Sequence, residues 1–412
     1  MSPLTLTKFK PSFYENTVLT ALNKMNKGFL NLNLPSGETF QIGDPKSNFY
    51  ANIEVKSDDF FKYLILYGDI GFGEAYVKGF WETENITNVI KWVILNIDNA
   101  PSVSGSKVKT LGLNIFKWFN RIYHNNRSNS ITGSQKNIAE HYDLNNDFFA
   151  TFLDQSMTYS AAYFKTPELT LAEAQDAKYR RLCEQLHLKE TDHVLEIGSG
   201  WGANAIFMAQ NYGCKVTSVT ISKEQQKLAE ERVAAAGLSN KVDIIIKDYR
   251  NIEGEFDKIV SVEMLEAVGH NYLETYFAKC AEVLKPNGIL AFQVITSPDS
   301  RYQSLRRGVD WIQKHIFPGS LLPSVAIINK AINNTSDLTM VDLKDLGLDY
   351  AKTLKLWFIE FNHSINEVKA LGFDDQFIRK WNYYLNYCEA AFEMRNINVM
   401  QMIYTRPNTI ER

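Results

Sequence analysis

The sequence predicts an α/β protein: a doubly wound, Rossmann-like sheet preceded by a smaller α+β domain. Three observations carry that expectation. Apolar, β-branched runs alternate with helical patterns from about residue 168 to residue 296, the signature of a parallel sheet covered by helices. One of these runs ends in the glycine-rich turn Gly198-Ser199-Gly200-Trp201-Gly202. And 412 residues are too many for one ordinary domain, with a break in composition between Asn99 and Asn137.

Taken in order, Leu34 to Asp44 reads as a hairpin around Ser36-Gly37, with a strand at Ala51–Val55 and helical patterns at Asp58–Tyr67 and Ile86–Ile97. Residues 1–98 thus form the small α+β domain. Residues 99–137 are rich in Ser, Asn and Gly and hold no Asp or Glu, which marks a linker. Inside it, Lys107 to His124 places Val108, Leu111, Ile115, Trp118, Phe119 and Ile122 on one helical stripe, opposite Lys117, Arg121 and His124. A basic amphipathic helix suits an anionic membrane surface, and packing of its apolar stripe on a neighbouring domain is the equal alternative. Residues 138–412 form the α/β domain. Its strands are expected at His193–Gly198, Lys215–Thr220, Val242–Lys247, Asp257–Val262 and Ile289–Thr296, with helices at Glu168–Leu186 and Lys223–Ala236. Thr339–Leu343 and Val399–Tyr404 are candidates for an antiparallel edge.

Composition excludes several classes. A net charge of −3 gives no basis for nucleic acid binding. The cysteines Cys183, Cys214, Cys280 and Cys388 are scattered and form no metal-ligand pattern, so no metal is expected and the thiols suit a reducing cytoplasm. Neither a signal-like apolar start nor an apolar run of about 18 residues is present. The 25 Phe and 20 Tyr suit a large apolar pocket or simply an aromatic core.

The strand ending Val194-Leu195-Glu196-Ile197 and the three glycines behind it form a ligand-binding turn. Glycine there adopts positive φ and lets backbone approach a ligand at the carboxyl end of the sheet. The turn matches the start of a dinucleotide fingerprint, but no third Gly or Ala stands at Asn204. An acidic residue before the first glycine, Glu196, is typical of S-adenosylmethionine sites. The next strand ends without Asp or Glu, leaving Thr220 and Gln225 as ribose partners. Asp248 and Tyr249 end the third strand, where one can accept from an adenine amine and the other stack on its ring. Each alone reads equally well as a loop residue in water.

From about Val55 to Arg406 the chain resembles the cyclopropane-fatty-acyl-phospholipid synthase family. The resemblance rests on HYDLNNDFF (His141 to Phe149), SMTYSAAYF (Ser156 to Phe164), VLEIGSGWG (Val194 to Gly202) and VTISKEQ. It extends through VEMLEAVG (Val262 to Gly269), LKPNGIL, HIFPGSLLPS (His315 to Ser324), YYLNYCEAAF (Tyr383 to Phe392) and, in the first domain, FGEAYVKGFWE (Phe72 to Glu82). It implies the class I methyltransferase fold, S-adenosylmethionine as donor and the double bond of an unsaturated phospholipid as acceptor. It also implies a cytoplasmic protein peripheral to the membrane, and a homodimer. By resemblance Tyr159, Ser160, Gly198 and Gly200 contact the donor, Thr220 and Gln225 lie near its ribose, and Asp248 and Tyr249 near its adenine. The product cation would rest against aromatic faces, with Tyr163, Phe164, Tyr350 and Trp357 as candidates and core packing as the alternative for each. A bound bicarbonate would remove the last proton, held by Glu266, Tyr350 and the Ile295 backbone.

Two positions depart from the family pattern. Ala161 stands where a Cys is common, and Gln293 stands where the bicarbonate-holding His is found; Gln cannot carry charge or shuttle a proton. Glu263 replaces a small residue three positions before Glu266. A carboxylate there is either a second, protein-based proton acceptor or a solvated surface group. Cyclopropane formation is the first reading. A methyl-branched or methylene-bearing product is the second, the branched one requiring a separate redox partner. An N-methyltransferase of small amines and a non-catalytic lipid-binding protein are the third and fourth.

Overall fold

The computed structural model describes residues 12–97 and 145–408. They divide into two compact units, 12–97 with 375–383, and 145–374 with 384–408. The basic segment Lys107 to His124 and the first four residues of the HYDLNNDFF motif lie outside the described residues.

The first unit is a four-stranded sheet of order β2-β1-β3-β4, with β1 at Phe29–Asn33, β2 at Thr39–Gly43, β3 at Tyr50–Val55 and β4 at Trp81–Glu82. The hairpin expected around Ser36-Gly37 joins β1 and β2, and Gly37 takes φ +83° while its N–H donates to the Leu34 carbonyl. Helices α1 (Phe13–Leu22), α2 (Asp59–Val77) and α3 (Ile86–Leu95) complete it. The helix expected to stop at Tyr67 instead kinks at Gly68 (φ 61°, ψ −130°) and resumes to Val77. Only glycine takes that conformation cheaply, so an apparent stop became a bend. Phe72 stacks on buried Trp81 at 4.5 Å. Arg379 joins this unit through Glu82 Oε1 (2.7 Å) and the carbonyls of Tyr76 and Trp81.

The second unit is built on a seven-stranded sheet of order β10-β11-β9-β8-β5-β6-β7. Its strands are β5 His193–Ile197, β6 Lys215–Thr220, β7 Val242–Ile246, β8 Phe256–Val262, β9 Leu284–Thr296, β10 Thr339–Asp345 and β11 Asn398–Thr405. β5 to β9 are mutually parallel, and β11 and β10 close the edge in antiparallel register, as the sequence predicts. Strand order reverses between β5 and β8, the switch point at which open α/β sheets bind ligands.

Period-two burial separates the sheet faces. Val194, Val216 and Val260 pack under α4 (Leu171–Gln185), α5 (Ala203–Tyr212) and α6 (Lys223–Ala235). Leu195, Ile259, Leu290 and Phe292 pack with Phe277, Ile328 and Ile332 of α7 (Leu273–Val283) and α8 (Val325–Thr335). Helix α4 begins at Leu171 and not at Glu168, because Thr170 and Glu173 form a capping box that fixes its first turn. Helices α9 (Gly347–His363) and α10 (Asp375–Glu393) follow β10. No helix among the described residues is long and apolar enough to cross a membrane.

Candidate active site

Three adjacent parallel strands end in the residues singled out for nucleotide contact. After β5 the backbone turns through Gly198 (φ +99°), Gly200 (φ +49°) and Gly202 (φ +84°) into α5. The N–H groups of Gly198 and Ser199 both donate to the Val219 carbonyl at the end of β6. A Cβ added at Gly202 would press on Ala229, whereas one added at Gly200 would meet nothing within 4 Å. Gly202 thus serves helix packing, and Gly200 borders open space at the switch point. That space, ringed by polar strand ends, fits a nucleoside-bearing donor.

Glu196 lies beneath this turn. It is 2% exposed, and its carboxylate oxygens accept from Asn204 Nδ2 (2.8 Å) and from the Ser218 hydroxyl. Burial raises it to about 7, against the pull of those two donors and of Lys178. Its observed partners are therefore the first turn of α5 and β6. At the end of β6 the Thr220 hydroxyl donates to Gln225 Oε1 (3.0 Å) and accepts the Ser222 N–H, which fixes the first turn of α6. Beyond β7, Asp248 does not stand free as an acceptor. Arg250 binds both of its oxygens, Nε at 2.8 Å and Nη2 at 2.7 Å. Burial opposes the Asp248 charge, but these bonds prevail and hold its carboxyl below the usual range. The Arg250 guanidinium also lies 5.3 Å from the Tyr249 ring and 5.6 Å from the Tyr272 ring, so charge and stacking face are built as one group.

A second cluster joins the SMTYSAAYF segment to the ends of β8 and β9. Ser160 Oγ accepts from Lys178 Nζ of α4 at 2.7 Å. Lys178 is fully buried, and burial lowers its ammonium to about 7 in spite of the nearby carboxylates Glu263, Asp154 and Glu196. The Ala161 N–H donates to Glu263 Oε1 (2.9 Å), Gln293 Nε2 donates to the same oxygen (2.8 Å), and the Tyr350 hydroxyl lies beside this carboxylate. Glu263 is thus half-buried and engaged by protein donors, not a freely solvated surface group. Gln293 Nε2 also donates to the Ala161 carbonyl (3.1 Å), so both of its N–H groups are used. Three groups that the resemblance assigned to holding or flanking a bicarbonate ion lie at the Glu263 carboxylate.

Glu266 sits one short turn away, 8% exposed. One of its oxygens accepts the Ile295 N–H, and the other is buried with no hydrogen-bond partner. Burial, and then the charge of Glu263, raise it to about 8. Burial raises the Glu263 carboxyl as well, against the pull of its donors and of Lys178. Two carboxylates this close do not both ionise, so the pair shares one proton and carries one negative charge.

Tyr159, Tyr350 and Trp357 form an aromatic wall: Tyr159 lies 5.2 Å from Trp357, Tyr350 lies edge-on to Trp357 at 6.0 Å, and the Tyr159 and Tyr384 hydroxyls are 2.8 Å apart. Tyr163 and Phe164 fall outside it, their rings covered by Lys344 and Lys352. Sequence reading missed Lys178, Arg250 and Gln401. For Lys178 a signal existed, since it falls one turn from Gln175 on the buried stripe of α4.

Comparison with known proteins agrees with this geometry. The family profile described as mycolic acid cyclopropane synthetase matches residues 129–402. The chain is 41% identical over 351 residues to the tuberculostearic acid methyltransferase UfaA1 of Mycobacterium tuberculosis, covering 82% of this chain and 79% of that protein. It is 39% identical to the cyclopropane-fatty-acyl-phospholipid synthase of Escherichia coli K12, over 86% of this chain and 88% of the relative. Among solved structures, the mycolic acid cyclopropane synthase CmaA1 complexed with SAH and CTAB is 28% identical with a TM-score of 0.61, covering 66% of this chain and 98% of that one. A matched profile over most of the chain, a sheet that reverses at a glycine turn, and an enzyme-like cluster of buried charge agree: the chain belongs to the cyclopropane synthase family of S-adenosylmethionine-dependent methyltransferases.

Proposed function

We propose that this enzyme transfers the methyl group of S-adenosylmethionine to the double bond of an unsaturated phospholipid acyl chain and that Glu263 then removes the proton that closes a cyclopropane ring. The observation that carries the proposal is the half-buried Glu263 carboxylate, which accepts from the Ala161 N–H and the Gln293 amide beside the Tyr350 hydroxyl. When bound, the donor supplies an electrophilic methyl group on a sulfonium centre. In this reading Gly198 and Gly200 pass its methionine end, Tyr159 and Ser160 flank it, Thr220 and Gln225 face the ribose, and Asp248 and Tyr249 face the adenine.

The alkene electron pair forms the new C–C bond as the S–CH3 bond breaks and its pair returns to sulfur. A carbocation is left on the chain. Tyr159, Tyr350 and Trp357 present ring faces to that charge, each worth about 0.5–2 kcal/mol, and the single negative charge of the Glu263–Glu266 pair attracts it. Glu263 accepts a proton from the transferred carbon, and the C–H pair becomes the third bond of the ring. Glu266, protonated, keeps the pair at one charge.

A second reading has the same first step and a methylene-bearing or, with a separate redox partner, methyl-branched product. The 41% identity to a protein named tuberculostearic acid methyltransferase favours it. Incubation of the purified protein with S-adenosylmethionine and vesicles of a monounsaturated phospholipid separates the two. A gain of CH2 by mass spectrometry with loss of olefinic proton signals supports the ring. The same gain with exocyclic methylene protons supports the second reading. Unchanged lipid refutes both.

A further inference from the structure

Gln293 is one link in a longer chain of hydrogen bonds that runs across one face of the sheet. Its side-chain oxygen Oε1 accepts from Gln401 Nε2 at 3.0 Å. The two residues are cross-strand partners in the β9–β11 register. Gln401 Oε1 in turn accepts from Arg181 Nη1 of α4 at 2.8 Å, and Arg181 is anchored by an ion pair with Asp342 of β10. Gln293 is 1% exposed and Gln401 fully buried, so water does not compete for either amide.

The order of these bonds has a direction. An amide can be turned end for end at little cost in shape, and its two ends are opposite in hydrogen-bonding character. A guanidinium donates and never accepts. Arg181 therefore requires the oxygen of Gln401 to face it, which turns the Gln401 N–H2 towards Gln293. Gln293 must then offer its oxygen to Gln401 and both N–H groups to Glu263 and the Ala161 carbonyl. Without Arg181, Gln401 and Gln293 can flip together, and the Gln293 oxygen would then face the Glu263 carboxylate.

We propose that Arg181 and Gln401 are positioning residues of this enzyme, a donor-only anchor and a relay that fix the amide of Gln293 with its N–H groups on Glu263. The inference rests on Glu263 as the proton acceptor. The other titratable and charged groups that face Glu263 are Glu266 on its own turn, Lys178 on α4 and Tyr350 on α9, and the relay leaves all three in place.

The test uses the full-length enzyme with vesicles of a monounsaturated phospholipid and measures kcat, both KM values, the melting temperature and the pH profile of kcat. The variants are Arg181→Met, Arg181→Lys, Gln401→Glu and Glu263→Gln. A carboxylate at position 401 accepts from Arg181 and Gln293 alike, and so imposes the flip. Arg181→Met and Gln401→Glu should lower kcat about tenfold or more, the rate equivalent of one hydrogen bond to a charged group. Their KM values should stay unchanged, and the acidic limb of the profile should move to higher pH as Glu263 loses a donor. Arg181→Lys, which also only donates, should restore most of kcat and the parent limb. A limb that stays in place in both Arg181→Met and Gln401→Glu overturns the proposal, as does equal impairment of the Met and Lys variants at matched melting temperature. Glu263→Gln keeps the two questions apart. Should it retain the parent kcat and profile, the base assignment itself falls and the relay with it; should it lose turnover while the relay variants behave as the parent, only the relay falls.

Discussion

Substituting Glu266 by Gln should stabilise the protein at neutral pH. The carboxyl group has an ordinary value of 4.5 and is raised to about 8, first by burial and second by the charge of Glu263. A raised carboxyl binds its proton more tightly in the folded than in the unfolded chain. Its stabilising contribution is therefore complete below about pH 4.5 and drains away as pH rises towards 8. Each pH unit in that window costs about 1.4 kcal/mol, so at pH 7 the folded state has lost on the order of 3 kcal/mol to this residue. Glutamine has the same shape, carries no titrating proton and still offers an oxygen to the Ile295 N–H. Denaturant titration of parent and variant at pH 5, 7 and 8.5 measures the difference. The curves should nearly coincide at pH 5 and separate in favour of the variant by about 3 kcal/mol at pH 7, with donor binding by calorimetry largely kept. A variant less stable than the parent at pH 7, or a gap that ignores pH, would show that Glu266 is ionised in the native state and refute the one-proton pair.

Two other changes probe the donor side of the site. Gly200→Ala puts a side chain at φ +49° with nothing within 4 Å, so its stability cost should be only about 1–2 kcal/mol, while donor affinity by calorimetry should fall further than that. Unchanged affinity would mean that the space beside Gly200 is not donor space. Arg250→Met removes both bonds to Asp248, so the Asp248 carboxyl should rise in pKa and donor binding weaken by about 1.5–3 kcal/mol. A donor Kd equal to the parent's would place the adenine elsewhere.

The parts of the fold legible in the sequence were those written in local pattern. Strands such as Lys215–Thr220 appear at their expected bounds because β-branched runs and flanking turns are local signals. The true start of α4 was also on display, as Thr170 followed by Glu173 three residues on. The bend at Gly68 was less legible, since a glycine inside a helical pattern reads as a stop unless the packing beyond it is known. In the site, residue types at strand ends were readable while their partners were not. Asp248 was expected to meet a ligand, yet Arg250 two residues later takes both of its oxygens. Gln401 is 108 residues from Gln293 and meets it only through the β9–β11 register. A one-residue slip in that pairing would put it on the opposite face, so no local window could single it out.

The backbone at Glu263 explains how a carboxylate came to lie where the family resemblance leads one to expect a small residue. The residue immediately follows β8 and takes φ +50°, left-handed geometry that costs a side chain about 1–2 kcal/mol. Its N–H still donates to the backbone carbonyl of Gln293 at 2.7 Å, so the strand ladder is kept while the chain turns. Glycine would relieve the strain and leave the Ala161 N–H and the Gln293 amide with no acceptor in a buried place, each at a cost of about 1–3 kcal/mol. The strained carboxylate and its donors therefore stabilise one another, and neither can be changed singly without loss. Yet the set as a whole opposes folding. It packs a buried and a half-buried carboxylate beside each other, holds an ammonium at about 7 and keeps a non-glycine residue in left-handed geometry. A core of the same size filled with apolar side chains would be more stable. Such a concentration of unfavourable terms at the switch point of the sheet is best accounted for by proton chemistry performed there.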